Sequence, residues 1–220
     1  MEFLREAPLF ADRVDAGRVL ARQLESESAD AVVVGLARGG VVVAAEVAAV
    51  LARPLDVLAV RKVRHPWQPE YAIGAVTPED GVYVRGPDGL TDAQVEAAVE
   101  HAKEQARELD ARLHESVPPL PVERRTCILV DDGLATGATM IAAARWARGR
   151  RATRVVAAVP VGATASLRVL ESEADAVVCP HALAEFYAVG LWYGSFAQVD
   201  DDDVRRLLAA ERRAQEAPAS

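Results

Sequence analysis

Two hydrophobic periods alternate along the chain. Between residues 13 and 25 apolar side chains return every three to four positions, with Ala16, Val19, Leu20 and Leu24 on one face behind Asp12, a helix-capping residue type. Residues 31–35 are then apolar without alternation, the pattern of a buried strand, and lead through a glycine-rich turn into a small-residue helix over 40–52. A second strand at 55–60 opens a long segment with three prolines, which ends in two short strands near 72–76 and 82–84. Connections of that length in a compact domain are usually functional or mobile. Thr91 and Gln94 form a capping box for a helix of about six turns, whose apolar positions run from Val95 to Leu113 and which Pro118, Pro119 and Pro121 bring to a stop. The segment TCILV is apolar throughout, as in a central parallel strand covered on both faces, and a helix over 138–149 follows it. The alternation continues as strand 153–160, helix 163–171, strand 175–179, an aromatic-rich loop and a last helix from 201. Strands alternating with helices predict an α/β fold with a doubly wound parallel sheet.

The length of 220 residues suits one well-cored domain, and neither an internal repeat nor a dividing linker is visible. A composition that is 51% hydrophobic and 26% charged excludes collagen-like and disordered classes. The longest apolar stretches fall far short of a membrane span, and the opening MEFLREAPLF lacks the order of a secretory signal, so a cytoplasmic protein is expected. A net charge of −8 argues against nucleic acid as a partner but leaves room for a local cationic loop that takes a phosphorylated small molecule. Cys127 and Cys179 lack metal-ligand spacing, and the four histidines lack the pairing that metal ligation or nucleophile activation needs. No protein metal site is expected. Arginines outnumber lysines 23 to 2, so Lys62 stands out.

In a doubly wound sheet ligands bind beyond the carboxyl ends of the strands, so the loops after those ends carry the candidate chemistry. After TCILV come Asp131 and Asp132, two carboxylates that can accept hydroxyl protons, and then a loop of Ala135, Thr136, Gly137, Ala138 and Thr139 that opens a helix. Backbone N–H groups and hydroxyls at a helix start suit a phosphate. A ligand carrying a diol and a phosphate at that separation is a ribose 5-phosphate. Neither the triphosphate-loop pattern nor the dinucleotide fingerprint occurs in the chain.

The segment ILVDDGLATGAT, residues 128–139, resembles the 5-phosphoribosyl 1-pyrophosphate (PRPP) motif of the type I phosphoribosyltransferases. The resemblance implies that Asp131 and Asp132 hold the ribose diol and that Ala135 to Thr139 bind the 5-phosphate. It spans about residues 28–180, with a small hood over the site built from the terminal segments, mainly 181–200. Ala37, Arg38, Gly39 and Gly40 then correspond to the family's pyrophosphate loop, which often contains a non-proline cis peptide, here expected at Ala37–Arg38. Arg61 and Lys62, at the start of the segment matching the family's mobile loop, are the expected catalytic cations. Phe186, Trp192 and Tyr193 are the candidate base platform of the hood. The acidic run Asp200 to Asp203 reads as the charged first turn of the last helix.

The implied reaction uses PRPP and Mg²⁺, the metal riding mainly on PRPP, to pass ribose 5-phosphate to a small-molecule nitrogen acceptor such as a nucleobase. Ala135 stands where the 6-oxopurine enzymes of the family usually carry an aspartate, which turns the reading away from hypoxanthine and guanine. A competing reading is a PRPP-sensing regulator without transferase activity. Family members are commonly dimers, and the hood aromatics would allow a homodimer here.

Overall fold

The computed structural model of the chain describes residues 7–27, 29–86 and 89–216. Residues 1–6, part of the segment 1–10 on which the expectation about a leader rested, and Ser28, at the edge of the expected core, lie outside them. The elements in chain order begin with α1 (Arg13–Ala21), β1 (Val32–Leu36), α2 (Gly39–Leu51), β2 (Leu55–Leu58), β3 (Arg61–His65), β4 (Gln68–Val76), β5 (Val82–Val84) and α3 (Asp92–Leu113). They continue with β6 (Thr126–Val130), α4 (Ala138–Gly149), β7 (Arg154–Ala158), β8 (Val161–Ala163), α5 (Thr164–Leu170), β9 (Ala176–Val178), β10 (His181–Leu183), a 3-10 turn at Val189–Trp192 and α6 (Asp201–Glu216).

The five strands of the central sheet run in the order β2-β1-β6-β7-β9, every neighbouring pair parallel. Successive side chains of a strand enter opposite cores. Val33, Ile128, Val130 and Val156 pack on one face with α2, the end of α3 and α6. Val32, Val34, Cys127, Leu129 and Val155 pack on the other with α4 and α5. This two-sided burial explains why β1 and β6 show no polar alternation, each buried valine or leucine contributing roughly 1.5–3 kcal/mol. The chain runs outward from β1 to β2 and later returns to lay β6 on the opposite side of β1. Strand order therefore reverses between β1 and β6, and a crevice opens beyond their carboxyl ends.

Helix starts follow their local chemistry. The Asp12 carboxylate accepts from the Asp15 amide at 2.9 Å to begin α1. Thr91 and Gln94 close the expected capping box of α3. The first helix ends at Ala21, short of residue 25, although Leu24 remains buried.

Two expectations need correction. The segment opening with Arg61 and Lys62 is not an irregular loop but strand β3, paired antiparallel with β4 in a separate three-stranded sheet completed by β5. Burial along β3 alternates, with Val63 and His65 inside and Lys62 and Arg64 outside. The one-sided strand was hidden because its outward positions carry charge. Val63 and Ile73 pack beneath Val99 and Ala102 of α3, so this sheet has its own small core. The expected strand 153–160 also divides. Beyond Ala158 the chain leaves the central sheet, and β8 pairs in parallel with β10 instead. The hood is built from this pair, the 3-10 turn and Phe10, whose amide donates to the Trp192 carbonyl at 3.1 Å and whose carbonyl accepts from Gly194 at 2.8 Å.

Candidate active site

The crevice brings the loop after β1 directly against the acids that follow β6. A Cβ on Gly39 would stand 2.1 Å from Asp132 Oδ2, and one on Gly40 would stand 2.9 Å from Asp131 Oδ1. Glycine at both positions is therefore a condition of the approach. The Ala37–Arg38 peptide is cis, at the expected bond.

The two acids occupy different settings. Asp131 Oδ1 accepts from the Asp132 amide at 2.9 Å. Burial pushes the Asp131 carboxyl well above the ordinary range, and the Asp132 charge adds to this, while the Asp132 amide, Arg13 and Lys62 oppose it. Asp132 is also raised by burial, but Arg13 counters directly. The Arg13 Nε and Nη2 both lie 2.8 Å from Asp132 Oδ2, and Nη1 donates to the Ala197 carbonyl at 2.8 Å. The guanidinium carbon sits 3.7 Å from the centre of the Phe196 ring. Sequence reasoning missed Arg13, since a basic residue at the start of a polar helix looks like surface.

A cavity of about 380 Å³ opens beside this cluster, lined by Arg13, Ala37, Arg38, Gly39, Arg61 and residues 196–199. Arg38 and Arg61 thus line the same cavity. Arg38 Nε donates to Asp201 Oδ1 at 2.6 Å, and Arg112 Nε reaches the second Asp201 oxygen at 3.1 Å. Arg61 Nε is buried and has no hydrogen-bond partner among the described residues. Its pKa is lowered first by burial and then by the neighbouring Arg38 and Arg112 charges. Such a crowd of guanidiniums suits an incoming anion. Lys62 is exposed on β3, close enough that its charge favours ionised Asp131.

The loop that follows the acids is braced from beneath. The Leu134 amide donates to Val161, its carbonyl accepts from Ala163, and Ser166 Oγ donates to the Ala135 carbonyl at 2.6 Å. Gly137 has φ +78° and starts α4 with no side-chain cap, leaving the helix N-terminus with the open amides that bind anions. Ala135 and Thr136 are exposed, Thr139 is half-buried, and Ala138 is buried as the first residue of α4.

The expected base platform needs revision. Tyr193 is buried, its phenol donates to the Asp132 carbonyl at 2.5 Å, and burial pushes that hydroxyl's pKa up. Trp192 and Phe186 pack on each other and against the Phe10–Tyr193 cluster. These rings make the inside of the hood because the chain doubles back onto Phe10. The ring that lines the cavity is Phe196. Among the described residues no group of three or more His, Cys, Asp and Glu side chains is arranged to hold a metal. Nor is any helix there long and apolar enough to cross a membrane.

The sequence profile of the phosphoribosyl transferase domain matches residues 10–190. Proteins from two Mycobacterium tuberculosis strains, each provisionally described as a phosphoribosyl transferase, are 45% identical over 211 residues, covering 93% of this chain but 47% of their own length. The chain thus spans about half the length of these curated relatives. The crystal structure of TT1426 from Thermus thermophilus superposes with a TM-score of 0.79 at 38% identity, over 91% of this chain and 98% of that one. With a doubly wound sheet, an acid pair at its switch point and these relatives, the chain belongs to the phosphoribosyl transferase domain family.

Proposed function

We propose that the crevice binds PRPP and transfers its ribose 5-phosphate to a nitrogen acceptor, a nucleobase in the first instance, releasing pyrophosphate. The observation that carries this reading is the packing of Gly39 and Gly40 onto Asp131 and Asp132 at the β1/β6 switch point. On this reading the acids take the diol, the start of α4 takes the phosphate, and the neighbouring cavity with Arg38 and Arg61 takes the pyrophosphate.

The assigned roles follow chemical type. Asp131 and Asp132 accept the ribose hydroxyl protons, and the loop Ala135–Thr139 receives the 5-phosphate at the start of α4. Ala37 to Gly40 and the side chains of Arg38, Arg61 and Lys62 face the pyrophosphate. In the transfer the acceptor nitrogen forms a bond to the anomeric carbon with inversion. The bond from that carbon to pyrophosphate breaks, pyrophosphate leaves with the electron pair, and the proton lost by the nitrogen ends on the released pyrophosphate. Arginine and lysine stabilise the departing charge, and orientation of diol and phosphate supplies much of the remaining rate. A magnesium would be held mainly through PRPP, since Asp132 is tied to Arg13 and the described residues offer no cluster of acids for it. Bound magnesium neutralises pyrophosphate charge.

The test is to mix the protein with PRPP, Mg²⁺ and a panel of purine and pyrimidine bases, then follow pyrophosphate release and detect nucleotides by mass. A nucleotide product is expected. PRPP binding without any product would favour the PRPP-sensing alternative or an acceptor outside the nucleobases, and no binding would end the proposal.

A further inference from the structure

We propose that Arg13 is a positioning residue for the ribose-binding carboxylate, holding Asp132 in the orientation that receives the diol and tying it to the hood at Ala197. The inference rests on the PRPP reading above.

Arg13 opens α1, where a cation meets the positive end of the helix dipole, so the helix itself gives no reason for arginine there. The side chain is nevertheless only 10% exposed. A buried guanidinium is costly unless its donors are used, and here two donate hydrogen bonds while a third nitrogen stays in ion-pair contact. Nε donates to Asp132 Oδ2 and Nη1 to the Ala197 carbonyl, Nη2 lies against the same Oδ2 as an ion pair, all at 2.8 Å, and Phe196 covers the flat face of the group. Because both guanidinium nitrogens that face the acid lie against Oδ2, Oδ1 is the oxygen left for a ligand hydroxyl. Rotation of the carboxylate is opposed from behind, where the Gly39 Cα approaches so closely that an added Cβ would meet Oδ2 at 2.1 Å and the Arg13 nitrogens at 3.0 Å. One guanidinium therefore joins the diol acid, the loop after β1 and the hood, three segments far apart in sequence.

Arg13 also lines the cationic cavity, and a direct role toward the pyrophosphate predicts a different result. The two are separated by calorimetry with ribose 5-phosphate, which carries the diol but no pyrophosphate, and with magnesium pyrophosphate, which carries no diol. For Arg13→Met the ribose 5-phosphate Kd is expected to rise about tenfold, with pyrophosphate affinity held within about twofold, as for loss of a charge-assisted contact behind a ligand group. Arg13→Lys, which keeps the charge but not the fork, is expected to recover part of the ribose 5-phosphate affinity. It also carries the comparison if the methionine variant fails to fold, as checked by thermal melting. Weakened pyrophosphate binding with unchanged ribose 5-phosphate binding would overturn the proposal, as would no change in either. If the parent protein binds neither PRPP nor ribose 5-phosphate, the PRPP reading itself fails and the proposal falls with it.

Discussion

Asp131 and Asp132 stand side by side and burial raises both, yet only Asp132 is the partner of a buried guanidinium. Asp131 is held well above the ordinary carboxyl range by burial and by its neighbour's charge. An acid whose folded pKa exceeds its unfolded value, about 3.9, makes the folded state bind more protons, so stability falls as pH rises from there toward the folded value. Asp131→Asn should therefore stabilise the unliganded protein by about 1–2 kcal/mol at pH 7. Asp132→Asn removes the partner of a buried guanidinium and should destabilise by about 2–3 kcal/mol. Urea unfolding of both variants checks this, and a less stable Asp131→Asn protein would contradict it. The acids were legible in the sequence because carboxylates ending an unbroken apolar strand have few structural uses. Arg13 was not, because its partner lies 119 residues away and its helix is polar around it.

Elements were legible where one period governed them and obscure where two environments met. β1, α2, α3, β6 and α4 follow unmixed patterns and lie close to where the sequence put them. β3 alternates charge with apolar residues, so its outward face looked like loop, and the departure of β8 from the central sheet depends on pairing with a strand twenty residues later. His114 shows a related limit. One of the four histidines without a metal or nucleophile partner, it joins the end of α3 to the edge strand β2, with Nε2 3.2 Å from Asp56 and Nδ1 3.3 Å from Asp110. Asp56 in turn accepts from the Leu120 amide at 2.7 Å, pinning the proline-rich connection. Burial alone pulls the imidazole pKa down, but the hydrogen bonds and charges of Asp110 and Asp56 outweigh it and hold it at about 10. A raised histidine stabilises fully below its unfolded pKa of about 6.5, and this stabilisation is lost as pH rises through about 10. Unfolding free energy should thus decline between those limits, and His114→Ala should cost about 3 kcal/mol at pH 7 and flatten the decline. Equal pH profiles for the variant and its parent would remove the clasp from the account.

At the scale of the molecule, a chain of net charge −8 gathers Arg13, Arg38 and Arg61 around one cavity at the reversal of its strand order. Under the proposed function this cluster, with Arg61 Nε left without a hydrogen-bond partner among the described residues, is what receives the pyrophosphate. The fold class could be read from the alternation of elements, because parallel sheets admit few arrangements of such a string. The hood came from the family resemblance and not from periodicity, since its closure by Phe10 on Tyr193 joins segments far apart in the chain. The most direct test of the central claim is calorimetric titration with PRPP in the presence and absence of Mg²⁺, for the parent and for Asp131→Asn combined with Asp132→Asn. The account predicts saturable, magnesium-dependent binding by the parent, absent in a folded double variant. Unchanged affinity in that variant, or no binding by the parent, would contradict it.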